Sequence, residues 1–280
     1  MSRDQRLLGK KALVTGSDTG IGREIGLEFA RQGADVVFHY VESDESVKSA
    51  MTEVRALGRK SAAFRADFDQ LDAVFALARQ AIECLGGINC LVNNAGVTMN
   101  RPFLKVAPEQ FDRLFHINFR GQYFLTQKVV EDMLHRDGGV ICNMSSIHAL
   151  QGVPEHSAYA ATKGAIVAYT RSLAMELAHK NIRVNAIAPG WITVENYFKC
   201  IPGFTREMAA DIGYNAIPLA RCGETTDVAR LAAFLCSEDA EFIVGQTIVA
   251  DGGTTALMSL VSDFREESAN IFGKGYIPGI

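Results

Sequence analysis

The stretch KALVTGSDTGIGREIG, residues 11–26, joins a short apolar run to a glycine-rich turn and then to a periodic segment. The run KALVTG has the continuous Val, Leu and Ala character of a strand covered on both faces. Beyond the turn, Ile21, Ile25 and Phe29 recur every fourth residue, so one face of the following helix is apolar. Between strand and helix stand Gly16, Gly20 and Gly22. Gly16 can turn the chain sharply, Gly20 removes a side chain where a phosphate would approach, and Gly22 lets helix and strand pack closely. The helix start then offers free N–H groups and a partial positive charge to a pyrophosphate. The spacing is GxxxGxG, not the GxGxxG of the standard dinucleotide turn, and a tight turn that binds nothing is the bland alternative.

The same rhythm continues outward. Further β-branched runs lie at 35–40, 61–67, 88–96, 139–146, 182–190 and 246–253, and helical patterns at about 20–32, 44–57, 70–85, 109–136, 157–179 and 225–236. Strand–helix alternation of this kind implies an α/β fold with a doubly wound parallel sheet of seven strands in a single domain, residues 1–253. Ligands of such folds sit beyond the carboxyl ends of the strands. Residues 191–224 break the rhythm and read as a lid or binding loop. The tail 254–280 ends apolar and is expected to dock on the same domain or on a neighbouring subunit.

Composition narrows the function classes. The chain has 280 residues, 48% of them hydrophobic, and a formal net charge of −4 with charges dispersed. An acidic balance without a basic stripe speaks against nucleic acid or an anionic membrane as partner. No apolar run approaches the roughly 20 residues that span a bilayer. The polar start leads directly into a strand, without a signal-peptide pattern, so a cytoplasmic protein is expected. The six cysteines form no CxxC pair, and buried reduced thiols rather than a metal site are expected.

The second informative stretch is SSIHALQGVPEHSAYAATKG, residues 145–164. Tyr159 and Lys163 stand four apart in a helical pattern and therefore share a face. Ser146 ends a strand thirteen residues upstream of Tyr159, at the carboxyl edge where the nucleotide would lie. A phenol with a pKa of about 10 is a poor base, and a neighbouring ammonium favours its phenolate. Ser146 could hold a substrate oxygen against the tyrosine.

TGSDTGIG, NNAG at 93–96, the asparagine of HINFRG and Ser–x12–Tyr–x3–Lys together resemble the short-chain dehydrogenase/reductase family, over residues 7 to 253. The resemblance implies a Rossmann-like sheet and hydride transfer between NAD(P) and a carbonyl/alcohol pair. It implies that Tyr159 is the general acid/base, that Lys163 lowers its pKa and holds the nicotinamide ribose, and that Ser146 orients the carbonyl. Asn118 would hold a water relaying protons from Lys163. Cofactor contacts would come from Gly16, Ser17, Asp18, Gly20, Ile21 and Gly22 at the turn, Tyr40 after the second strand, and Asp67 at the adenine. Asn94, Ala95 and Gly96 would line the adenosine ribose. Pro189, Gly190 and the backbone of Ile192 would meet the nicotinamide amide, because Val194 stands where relatives often carry Thr. Relatives commonly form tetramers through the helices at 109–136 and 157–179 and through the last strand, so a homotetramer is expected.

Two choices rest on finer signals. Relatives that prefer NAD end the second strand with Asp, where this chain has Tyr40; those that prefer NADP carry a base at positions held here by Thr19 and Val41. Glu42, Asp44 and Glu45 crowd that loop and favour NAD, with NADP left open. Ser-Ile-His at 146–148 resembles sugar-oxidising members, which points to a small-molecule sugar or polyol substrate met by Ser146, His148, Tyr159 and Trp191. Tyr197, Phe198 and Phe204 could add an aromatic wall. A 3-oxoacyl or small-ketone reductase is the alternative within the family, and a dinucleotide-sensing binding protein without turnover is the alternative outside catalysis.

Overall fold

Alternate residues of each central strand feed opposite cores. In the computed structural model, which describes residues 5–42 and 44–258, Leu13 packs on one side of the sheet and Ala12 and Val14 on the other. Both sides are dry, as the continuous apolar strands require, and each fully buried Leu, Ile or Phe contributes about 1.5–3 kcal/mol. The strands are β1 (Lys11–Val14), β2 (Asp35–Tyr40), β3 (Ser61–Arg65), β4 (Cys90–Asn93), β5 (Gly139–Met144), β6 (Ile182–Pro189) and, last in the chain, β9 (Thr247–Ala250). They form one parallel sheet in the order β3-β2-β1-β4-β5-β6-β9. The chain therefore winds outward in one direction to β3, returns, and winds the other way from β4. The strand order reverses between β1 and β4, and the crevice at their carboxyl ends is where such sheets hold ligands.

Helices cover both faces. α1 (Gly20–Arg31), α2 (Glu45–Ala56) and α9 (Thr225–Cys236) lie on one side; α3 (Leu71–Leu85), α5 (Gly121–Leu134) and α6 (Ser157–Leu177) lie on the other. The segment expected as one helix over 109–136 is more particular than its periodicity suggests. It runs as α4 (Pro108–Phe115), a π turn at His116–Arg120 and then α5. A π turn admits one extra residue without ending the helix and is common at functional sites. Here it carries Asn118.

Residues 191–224 are ordered rather than irregular. Two-residue strands, β7 (Ile192–Thr193) and β8 (Gly223–Glu224), pair at the base, and α7 (Glu195–Cys200) and α8 (Arg206–Ala216) lie between them. Arg221 closes the base with two bonds to the Asp227 carboxylate, at 2.7 and 3.0 Å. Of the C-terminal tail, residues 259–280 lie outside the described residues.

Cys90 on β4, Cys142 on β5 and Cys236 at the end of α9 are buried in the core. The Cys236 thiol beside it and burial push Cys90 well up, and the Cys142 thiol and burial push Cys236 well up against an opposing influence from Cys90. Cys222 is also buried, whereas Cys84 is exposed. Among the described residues no cluster of His, Cys, Asp or Glu suits a metal ion, and no helix is long and apolar enough to cross a membrane.

Candidate active site

The side chains expected to be reactive converge where β5 ends against α6. Ser146 lies two residues beyond the end of β5, and its Oγ accepts the His148 amide at 3.2 Å, which fixes the serine at the start of a short 3-10 turn. Tyr159, in the first turn of α6, has the Ser146 hydroxyl near enough to favour its phenolate. Lys163 comes one turn later on the same face, its Nζ 5.7 Å from the centroid of the Tyr159 ring. That Nζ donates to Met144 O at 2.9 Å, and the side chain is buried. Ser145, the other serine of the pair, is turned away from the site: its Oγ donates to Lys163 O at 2.9 Å and ties α6 to β5.

The electrostatics differ from the sequence expectation in one respect. Burial pushes the Tyr159 phenol above its ordinary value; the Ser146 hydroxyl opposes this, and Tyr197 adds to the rise. Burial also lowers the Lys163 ammonium to about 8. The phenol is therefore not acidified by the chain alone: burial outweighs the Ser146 hydroxyl, and the Lys163 donor is engaged with Met144.

Asn118 works as a fastener. Its Oδ1 accepts the Val97 amide at 2.8 Å, while its Nδ2 donates to Val97 O at 2.9 Å and to Thr162 Oγ1 at 3.1 Å. Thr162 in turn donates to Tyr159 O at 2.8 Å. The π turn thereby links the loop after β4 to α6. The amide nitrogen is saturated, so a relaying water would find only the remaining lone pair of Oδ1 on this side chain.

The glycine turn lies on the same edge of the sheet. Gly16 has φ +57°, and a Cβ there would stand 2.8 Å from Ala95 Cα. A Cβ at Gly22 would collide with Gly16 O and the Asn94 amide, so the glycine is required by close approach. Thr19 begins α1 without a side-chain cap, which leaves the first-turn N–H groups to an anion.

A family model described as enoyl-(acyl carrier protein) reductase matches residues 16–255. The chain belongs to the short-chain dehydrogenase/reductase family. A 3-oxoacyl-(acyl-carrier-protein) reductase of Staphylococcus aureus is 36% identical over 244 residues, covering 87% of this chain and 97% of that relative. Among solved structures, a 7α-hydroxysteroid dehydrogenase complexed with NADH and 7-oxoglycochenodeoxycholic acid matches with a TM-score of 0.83 at 35% identity, over 90% of this chain and 97% of that one. A short-chain dehydrogenase from Burkholderia cenocepacia in complex with NADP matches with a TM-score of 0.82 at 30% identity, over 90% of this chain and 100% of that one. As a short-chain dehydrogenase/reductase, the chain is an oxidoreductase.

The remaining expected positions fall into two groups. Some are structural fasteners at the edge of the site. Ser17 Oγ donates to Val14 O at 2.7 Å and accepts the His39 amide at 2.9 Å, and the residue is fully buried. Asn94 Nδ2 donates to Thr15 O and Gly16 O at 3.0 and 2.8 Å, stitching the turn after β1 to the loop after β4. Ala95 is buried behind Gly16, while Gly96 lies open beside Asn118 and Lys163. Asp67 Oδ1 accepts the Asp69 amide at 3.0 Å in a turn after β3. Pro189 and Ile192 are buried, and Gly190 lies so close to Asp251 that a Cβ would clash. Ile21 packs on the core and Tyr40 is partly buried beside it, whereas Asp18 stays half-buried at the turn.

The others form a wall. The His148 ring meets Tyr159 edge-on at 5.5 Å and His156 at 4.8 Å. Burial, then His156, lowers the pKa of His148. Trp191, 41% exposed, sits edge-on to Tyr197 at 6.4 Å, and Phe198 stacks on Phe204 at 5.7 Å. Val194 leans over the glycine turn, its Cγ1 3.4 Å from where a Gly20 Cβ would be, and so serves as packing where relatives often carry a hydroxyl.

Sequence reasoning passed over His39. Its ring is fully buried; Nδ1 accepts the Gly16 amide at 2.8 Å and Nε2 lies 2.8 Å from Ala66 O. The two bonds define a neutral ring protonated on Nε2, and burial lowers its pKa. It connects the glycine turn to the segment carrying Asp67. A lone polar residue inside the apolar run DVVFHY was the available signal.

Proposed function

We propose that the chain moves a hydride between a nicotinamide dinucleotide and a secondary alcohol or ketone of sugar or polyol type. The observation that carries this is the meeting of Ser146 and Tyr159, with Lys163 Nζ 5.7 Å from the centre of the ring, on the sheet edge shared with the glycine turn. The uncapped start of α1, the open Gly20 and Gly96 positions and the Asp67 turn fit the dinucleotide's phosphates, riboses and adenine. When bound, the nicotinamide supplies the hydride donor or acceptor. The protein's own part is the proton. Ser146 and Tyr159 grip the reacting oxygen from two sides, and the Tyr159 hydroxyl exchanges the proton with it. Lys163 contributes positive charge under that exchange and holds the ribose. His148, Trp191 and Tyr197 close the substrate side with one imidazole, one indole and one phenol, a mixture suited to stacking on and hydrogen bonding to a hydroxylated chain or ring.

A 3-oxoacyl substrate is the second reading, favoured by the likeness to the carrier-protein reductase. Against it, Phe124 and the exposed Met175 stand where a basic docking residue for an acidic carrier would be expected. A homotetramer joined through α4, α5 and α6 belongs to the same proposal, and so does a cytoplasmic setting.

Tyr159→Phe keeps the ring and removes the hydroxyl. Turnover on a panel of sugars, polyols and simple ketones should fall by about three orders of magnitude or more, while dinucleotide binding changes little. Unchanged turnover in that variant removes Tyr159 from the chemistry.

A further inference from the structure

The charge that distinguishes NADP from NAD need not come from residues adjacent in sequence. Neither Thr19 nor Val41 is basic, yet the sheet brings a cation to their neighbourhood from another strand. Arg65 ends β3 in register with Tyr40, the last residue of β2. Its exposed side chain crosses to the β2 exit, where Nε donates to Val41 O at 2.7 Å. Only Nε is used in this way; among the described residues the two Nη groups have no partner. In doubly wound sheets the residue at the end of β2 reads the adenosine ribose, and an arginine close to it accommodates a 2′-phosphate. The guanidinium is held one residue beyond that reading position, with the end of its planar fork unspent.

The nearby acids are less repulsive than their sequence suggests. Asp44 is paired with Lys48 at 2.8 Å, on the surface of α2. Lys48 also lies within electrostatic reach of Tyr40, adding positive charge to the same rim. Glu42 remains exposed and works against a phosphate.

We propose that Arg65 is a specificity residue that receives the 2′-phosphate of NADP, so that this chain accepts NADP through a cation supplied by β3. The proposal rests on the dinucleotide reading above. Titration calorimetry of the full chain with NAD, NADP, adenosine 5′-monophosphate and adenosine 2′-monophosphate separates the two. Arg65→Gln should weaken NADP and the 2′-monophosphate by about tenfold or more, the loss of a charge-assisted bond. NAD and the 5′-monophosphate should change less than about twofold. Arg65→Lys keeps the charge without the Nε bond and should fall between. Added salt should weaken NADP in the unsubstituted chain more than in Arg65→Gln. Equal losses for both dinucleotides would mean that Arg65 merely holds Val41, and NAD binding without NADP binding would mean that no such subsite exists. Either result overturns the proposal while leaving the dinucleotide reading intact. Failure to bind either dinucleotide removes that reading, and this one with it.

Discussion

Lys163 is a cation folded into a dry place, and its energetics can be separated from its chemistry. Burial lowers its pKa from 10.5 to about 8, so below pH 8 folding carries the cost of desolvating an ammonium. Between pH 8 and 10.5 the unfolded chain binds more protons than the folded one, and stability rises with pH across that window. Lys163→Met should therefore be inactive yet more stable at pH 7, by up to about 3 kcal/mol less the bond to Met144. The gain should shrink above pH 8 and vanish by about pH 10.5, as urea unfolding at pH 7 and pH 10 can read. A variant less stable than the parent at pH 7 would show that the lysine is a structural strut first. Ser146, Tyr159 and Lys163 were legible in the sequence because helical spacing and a strand end fix their placement locally. His39 and Arg65 were not: their bonds reach 23 and 24 residues along the chain, through a parallel register that no local pattern encodes.

At the scale of elements, the π turn between α4 and α5 joins fold to site. The sequence pattern carried the helix through 109–136, and the chain does stay helical there, but periodicity cannot register one inserted residue. What holds the turn is tertiary. His116 Nδ1 lies 2.8 Å from Asp69 Oδ1, and Asn118 ties to Val97 and Thr162. Asn118→Ala leaves three polar partners to find water, so stability should fall by about 1–3 kcal/mol. Because Thr162 also bonds the Tyr159 carbonyl, kcat should fall further than dinucleotide affinity. Urea unfolding paired with steady-state kinetics tests both; equal losses in the two would make the turn a scaffold only. The segment 191–224 shows the converse limit. Its prolines and glycines marked it as exceptional, yet β7 pairing with β8 across 31 residues was invisible locally.

For the whole molecule, the seven strands and both layers of helices follow from the alternation of apolar runs, because a parallel strand must be dry on both faces. Assembly follows less directly. Tyr123 on α5 and Met175 on α6 are 41% and 62% exposed, and Phe103 and Leu104 ahead of α4 are 76% and 93% exposed. Large apolar side chains left exposed on and beside these helices are expected to be covered by further copies of the chain in the proposed tetramer. Light scattering at micromolar concentration should give a tetramer, and Met175→Glu should shift it towards smaller species. A monomer in the unsubstituted protein would refute that assembly.

The three sulfhydryls shut between sheet and helix give the molecule a built-in clock. Alkylating reagents attack the thiolate, and at Cys90 and Cys236 the surroundings suppress that form. Covalent capture of these sulfurs must wait until β4, β5 and α9 part company, whereas Cys84 on the surface reacts without delay. The lag between the two events times the rarest excursion of the native state, in the protein as it stands and without an added label.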